Sequence, residues 1–252
     1  LKLRDRSGDF QICLAQKVLG ENFKTFSKIL DRGDFIGVRG EFFFTKQGEP
    51  TLMVAEVVPL SKSLRPLPEK FHGLTDQETC YRERNLDLMM HRETLDRFQA
   101  RSKMIRLIRE FFWDKDYHEV ETRTLQPQAG GAMAETFRTH HRALDQEFVL
   151  RIASELDLKM VMGGGFERVF EIGKMFRNEG IDPSHLQEFT SIEWYGAYET
   201  LELHESWIEE ILRQIADKVF GKKVFSILDK ENKWVEVDFG TCFERRSFAE
   251  LL

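Results

Sequence analysis

The sequence predicts an α+β protein in two parts, a small β-rich module followed by a larger antiparallel sheet flanked by helices. Three observations carry this reading. Residues 1–60 break into short apolar runs separated by glycine turns. Two long stretches, 93–113 and 203–219, repeat apolar residues at helical spacing. Between them lie three strand-like runs, and the last two are joined by the loop "GIDPSHL".

In the first module, "LKLRDRSGDFQICL" reads as strand, turn at Ser7-Gly8, strand. A short helix is predicted over Asn22 to Leu30. "GDFIGVRGEFFFTKQGEPTLMVAEVVPL" supplies two or three more strands, with Gly40 and Gly48 as breakers. Four or so strands with one inserted helix suggest a small barrel of the OB type that lacks its first strand. Such a barrel offers a face to single-stranded nucleic acid. A purely structural barrel is the alternative. Residues 61–76, "SKSLRPLPEKFHGLTD", hold two prolines and no periodicity, and read as an extended linker before a domain over 77–252.

In the second part, Phe98, Met104, Ile105, Ile108, Phe111 and Phe112 form one helical stripe. Leu203, Trp207, Ile211, Leu212, Ile215 and Val219 form another. Both are expected to pack on a core. "YHEVET" is a predicted strand, as are 147–153, 167–179 and 187–199. The last two make an antiparallel hairpin with a long loop.

That hairpin carries the chemistry. Strand side chains alternate between faces, so Phe189, Ser191, Glu193 and Tyr195 share one face while Ile192 and Trp194 share the other, which reads as core. On the neighbouring strand Glu171, Met175, Arg177 and Glu179 fall on the same side as the polar set. A guanidinium suits a phosphate or carboxylate. A flat Phe ring suits a purine. His185 in the loop could reach a phosphate tail. Carboxylates beside a phenol suit a cationic group, which a buried site must pair to offset desolvation. The face therefore favours a nucleotide at one end and an amine at the other. The competing reading is a surface ion-pair network of little energetic consequence. Upstream, Gly130-Gly131 in "AGGAMAETF" permits close backbone approach, and Glu155 in "LRIASELDLK" stands after a strand at a helix start, where an acid alone is ordinary.

Composition sets bounds. The chain has 252 residues, 41% hydrophobic and 32% charged, which excludes a disordered chain. It has no run of about 18 apolar residues, so no membrane span or membrane partner is expected. No signal-peptide pattern opens it. The three cysteines are scattered and odd in number, with neither metal spacing nor a disulfide framework, and the expected compartment is the cytoplasm. Net charge is −6, split as +3 over residues 1–75 and −9 over the remainder. A basic front and acidic rear fit a nucleic-acid-contacting module joined to something else.

Taken together, the segments "LRDRSGDFQ", "KSLRPLPEKFHGLTDQETCYRERNLDL", "EVET", "GGAMAETFRTHH", "LRIASELDLK", "GGGFERVFEIGKMFRNEGID" and "HLQEFTSIEWYGAYE" resemble the class II lysyl-tRNA synthetases from end to end. "FRNEGID…H…EFT..E.Y" is similar to that family's motif 2. The resemblance implies ATP-dependent activation of L-lysine to lysyl-adenylate and its transfer to tRNA-Lys. It implies ATP with Mg2+, and a homodimer. It implies a catalytic role for Arg177 on the ATP α-phosphate and the lysine carboxylate. Glu179, His185 and Phe189 would contact ATP, with Phe189 stacking on adenine. Gly131, Glu155, Glu193 and Tyr195 would line the lysine site, with Glu155 receiving the α-amino group and Glu193 and Tyr195 the ε-ammonium. Gln11 and Glu49 would read the anticodon. No metal ligand is expected within this chain.

The sequence departs from the family pattern at several places. Arg123 follows "EVET" where a proline is usual. "HLQEF" stands for "HNPEF", and "SELDLK" for "PELYLK", which makes Leu186, Gln187, Ser154 and Asp157 unusual. The glycine-rich motif 3, with its further ATP-binding arginine, is expected to be missing. The alternative function is a non-catalytic paralogue or fragment that binds RNA or lysine through the same surfaces.

Overall fold

A computed structural model describes residues 1–65, 67, 74–182 and 184–251. The chain forms two compact units, Leu1–Leu95 and Asp96–Leu252. The prolines of the predicted linker, Pro66 and Pro68, lie outside the described residues.

The first unit contains β1 (Lys2–Arg4), β2 (Asp9–Leu14), α1 (Gln16–Leu19), α2 (Asn22–Ile29), β3 (Phe35–Phe44), β4 (Pro50–Ser61), α3 (Gln77–Arg82) and α4 (Arg84–Met90). The Asp5 carboxylate shapes the β1–β2 turn by accepting from the Ser7 and Gly8 amides at 2.7 and 3.2 Å. The sheet order is β1-β2-β4-β3, with β2 and β4 parallel and the other pairs antiparallel. Among the described residues β1 and β3 remain edges, so the expected barrel is an open sheet here. Its core is Ile12, Val54 and Val57, against which Phe10, Phe26, Ile36 and Val38 pack.

Gly40 corrects the sequence reading. It is no breaker but lies inside β3, where the register slips between Arg39 and Gly40. A Cβ there would collide with the Met53 carbonyl, so only glycine lets β4 approach this closely. On α4, the buried Asp87 is met by Arg84, by His91 Nδ1 at 2.7 Å and by Thr94 at 3.2 Å. His91 first and Arg84 second hold its carboxyl below the usual range, against the opposing effect of burial.

Helix α5 (Arg92–Asp114) leads into the second unit. There follow β5 (His118–Glu119), β6 (Leu125–Gln126), β7 (Arg138–His141), β8 (Gln146–Leu150), α6 (Glu155–Gly163), β9 (Arg168–Phe176), β10 (Glu188–Gly196), α7 (Leu201–Phe220), β11 (Val224–Leu228), β12 (Trp234–Asp238) and α8 (Phe248–Leu251). The central sheet runs β10-β9-β5, with β9 and β10 antiparallel and β5 parallel to β9. A second sheet runs β6-β8-β7, and β11 and β12 form a hairpin. The sequence reading did not resolve β6, β7, β11 or β12. It also overextended four strands, among them β10, which covers Glu188–Gly196 and not 187–199. "YHEVET" keeps only two strand residues, β8 stops at Leu150, and β9 stops at Phe176.

The helical stripes pack as their periodicity predicts except at their first residues, Phe98 and Leu203, which are exposed. Phe111 and Phe112 from α5 and Trp207 and Ile211 from α7 enclose a core with Tyr117 and Phe170, against which Ile172, Ile192 and Trp194 pack. Phe112 is fully buried, its ring 5.2 Å from Phe170, 5.0 Å from Trp194 and 5.3 Å from Tyr117. Thr200 caps α7, its hydroxyl accepting from the Leu203 amide at 3.3 Å.

Behind this core, the Glu199 side chain is only 4% exposed. It accepts from Tyr117, from Arg168 Nε at 2.8 Å, and pairs with His204 Nε2 at 2.8 Å. Burial pushes its carboxyl up, but these three partners outweigh burial and leave it below the usual carboxylate range. A depressed folded value stabilises the fold above the unfolded pKa, and that contribution is lost as pH falls through the folded value. Glu199→Gln is expected to cost about 1–3 kcal/mol at neutral pH, because a donor amide then meets buried donors. It should also flatten the acid limb of a stability-versus-pH profile measured by urea unfolding. An unchanged acid limb would remove Glu199 from that role.

Candidate functional site

The site is built on the β9–β10 face opposite the aromatic core. Cross-strand register pairs Glu193 with Glu171, Phe189 with Met175, and Tyr195 with Val169. The face is therefore shared as the alternation predicts.

At one end acids converge. Ser154 precedes α6, and its amide donates to Glu193 Oε1 at 3.1 Å, which sets that carboxylate at the positive end of a helix. The Tyr195 hydroxyl donates to Glu193 Oε2 at 3.4 Å. Glu155 opens α6 and accepts from Lys159 Nζ at 2.7 Å, and the same ammonium stands 5.7 Å from the Tyr195 ring centroid. The cluster thus already accepts one ammonium. The Tyr195 phenol is pushed up to about 12 by burial first, then by the charges of Glu193 and Glu155. Gly131 lies against Glu155. Its φ of +82° favours glycine, and a Cβ would lie 2.9 Å from the Glu155 Cβ.

At the other end, the Arg177 Cζ lies 5.2 Å from the Phe189 ring centroid. Arg177 sits one residue beyond β9 but keeps sheet phase, because its amide donates to the Gln187 carbonyl at 2.9 Å. Its Nε is buried without a hydrogen-bond partner among the described residues. A guanidinium left open in this way fits an anionic group. Glu179 corrects the sequence reading. The Asn178 amide turns away to the Glu135 carbonyl at 2.9 Å, so Glu179 is exposed on the loop and not on the strand face. His185 is on the same loop.

Sequence reasoning did not single out the floor. Arg151 Nη1 contacts Glu171 Oε1 at 2.5 Å and the Thr122 hydroxyl at 2.9 Å, its Nε donates to the Lys174 carbonyl, and Thr122 also donates to Glu171 Oε2 at 2.7 Å. Both charged side chains are buried. A lone Arg beside apolar "LRIA" neighbours was the available signal. Two departures from the family pattern also meet. Arg123 Nη2 donates to Asp157 Oδ1 at 2.6 Å, while Gln126 donates to Oδ2 at 3.0 Å, which ties the first turn of α6 to β6. A third departure, Gln187, closes the loop base by donating to the Glu179 and Gly180 carbonyls at 3.2 Å each.

In the first unit, Gln11 and Glu49 flank Thr51. Gln11 Nε2 donates to the Thr51 hydroxyl at 2.9 Å, and the Glu49 side chain is exposed. Gln11 and Thr51 line a cavity of about 630 Å³ with Phe43, Phe26 and Phe23.

An OB-fold nucleic acid binding domain matches residues 1–60, and the model of class II tRNA synthetases (D, K and N) matches residues 76–252. The chain belongs to this class II synthetase family. Within it, the chain is 49% identical over 247 residues to the lysine–tRNA ligase of Methanoculleus marisnigri, covering 98% of this chain and 48% of the relative. It is 50% identical over 251 residues to that of Streptococcus mutans serotype c, covering 99% and 49%. It is 55% identical over 197 residues to that of Streptococcus pyogenes serotype M49, covering 78% and 39%. The chain spans about half the length of the curated relatives it matches.

The buried floor pair generates a stability prediction. Arg151→Met leaves Glu171 buried without its charge partner and is expected to cost about 3–5 kcal/mol, whereas Arg151→Met with Glu171→Met should recover most of the loss. Urea unfolding of the two variants checks this. A double variant no more stable than the single one would refute it.

Proposed function

We propose that this chain forms the anticodon-reading part, over 1–60, and the motif 1 and motif 2 part, over 77–252, of an ATP-dependent lysine–tRNA ligase. The observation that carries the proposal is the convergence of Glu155, Glu193 and Tyr195 at one end of a face whose other end holds Arg177 against Phe189.

In the reaction the lysine carboxylate attacks the α-phosphorus of ATP. The P–O bond to pyrophosphate breaks, and the acyl group then passes to the tRNA terminus with release of AMP. The protein's contribution is positioning and charge neutralisation, with no covalent nucleophile. Arg177 meets the α-phosphate and the lysine carboxylate. Phe189 stacks on adenine, and Glu179 and His185 approach the rest of the nucleotide. Glu155 takes the α-ammonium against Gly131. Glu193 and Tyr195 take the ε-ammonium, and an uncharged side chain there would leave Glu193 unpaired, which is the basis of selection.

Mg2+ is expected to arrive with the triphosphate. The described residues offer one three-group cluster of ligating atoms, Cys80, Asp87 and His91, in the first unit. Its carboxylate is already met by Arg84, so it does not fit a triphosphate-bound ion. tRNA-Lys is read by Gln11 and Glu49, the assembly is a homodimer, and the compartment is the cytoplasm. No helix among the described residues is long and apolar enough to cross a membrane.

Residues 1–252 span about half the length of the lysine–tRNA ligases they match, and lysine-dependent pyrophosphate exchange is expected from a chain of the relatives' length and not from residues 1–252 alone. Robust exchange by residues 1–252 would contradict this. Glu193→Gln is expected to weaken lysine binding about 10–100-fold, as loss of hydrogen bonds to a charged group predicts, with ATP binding little changed. Equal losses for both ligands, measured by calorimetry, would exclude Glu193 as the ammonium reader. Filter binding should discriminate against anticodon-altered RNA, and identical affinities would reduce the first unit to a scaffold.

A further inference from the structure

We infer that Asp182 is a positioning residue for the nucleotide: by holding Nδ1 of His185, it couples binding of a triphosphate tail to uptake of a proton at that imidazole. The inference rests on the proposed reading of His185 as a contact to ATP.

The geometry is local and complete. Asp182 Oδ2 lies 2.6 Å from His185 Nδ1. Its other oxygen, Oδ1, accepts from the Ser184 amide at 2.7 Å, the Ser184 hydroxyl at 2.8 Å and the His185 amide at 2.9 Å. The Ser184 hydroxyl, then its amide, then His185 hold the Asp182 carboxyl down at about 2. An ionised carboxylate only accepts, so the ring nitrogen facing it carries hydrogen. In the neutral ring Nε2 is then a lone pair, which repels a phosphate oxygen. Only the doubly protonated ring donates from Nε2 to phosphate while keeping Nδ1–H on Asp182. Among the described residues, Asp182 is the charged side chain that pairs with His185, and the Ser184 hydroxyl is its other polar neighbour at 3.2 Å. The pair is 71% and 49% exposed, so it adds little to the stability of the loop; what it sets is the ring's orientation and proton count.

The test is calorimetry of the 252-residue chain with ATP and with AMP at about pH 8, in two buffers of different ionisation heat. The nucleotide phosphates are ionised at that pH, so protons taken up go to the protein. Wild type is expected to take up more protons with ATP than with AMP. ATP affinity should fall by up to about tenfold per pH unit in the alkaline range. Asp182→Asn keeps a carbonyl for the loop amides but offers Nδ1 a donor, which selects the neutral Nε2–H ring. Proton uptake and the pH slope should then disappear for ATP, with AMP unchanged. Ser184→Ala weakens the loop without changing the charge on His185, and should retain the uptake. Equal proton counts for ATP and AMP, uptake that survives Asp182→Asn, or loss of uptake in Ser184→Ala would each overturn the inference while leaving the function intact. Failure of ATP to bind residues 1–252 at all would overturn the inference, while the proposed function stands or falls on the exchange and lysine-binding measurements.

Discussion

Nine cross-strand pairs hold β9 to β10 and decide which side chains share a face. In this register Phe170, Ile172, Ile192 and Trp194 meet the aromatic residues of α5 and α7, while Glu171, Met175, Phe189, Glu193 and Tyr195 fall on the other side. A slip of one residue would turn Glu193 into the aromatic core and Trp194 out of it. Burial of Phe112, Phe170 and Trp194 therefore does more than stabilise the second unit. It also fixes the phase of every polar group opposite.

The carboxylates on and around that sheet are treated differently, and the difference defines the site. Glu171 is closed by Arg151 and Thr122. Glu199 is closed by Tyr117, Arg168 and His204. Asp157 is closed by Arg123 and Gln126. Among the described residues, Glu193 receives one amide and one long phenol hydrogen bond and no cation. A partly buried carboxylate with only neutral donors has capacity for an ammonium that the other three have already filled. Arg177, whose buried Nε has no partner among the described residues, shows the same incompleteness in the opposite sign. Complementary gaps at the two ends of one face support the proposed reading of an amine beside a nucleotide.

Two of the residues that depart from the expected family pattern meet in the fold: Arg123 and Asp157 pair with each other, so the buried acid two residues beyond Glu155 has a counter-ion. The pair also braces the first turn of α6, whose amide and first acid belong to the site. Gln187 ties the base of the loop with a side chain that binds two carbonyls.

By itself the sequence determined the two long helices, the alternation along Phe189 to Tyr195 and the family's ordered blocks, because periodicity and local spacing are one-dimensional properties. It misread Gly40 as a break, since the demand for glycine comes from the Met53 carbonyl on another strand. It ran β9 on to Glu179, since the chain is diverted there by a hydrogen bond to Glu135, distant in sequence. The floor under the site and the matching of Arg123 with Asp157 came only from the tertiary structure. Which charges neutralise one another depends on distances across strands and helices, and no spacing along the chain encodes them.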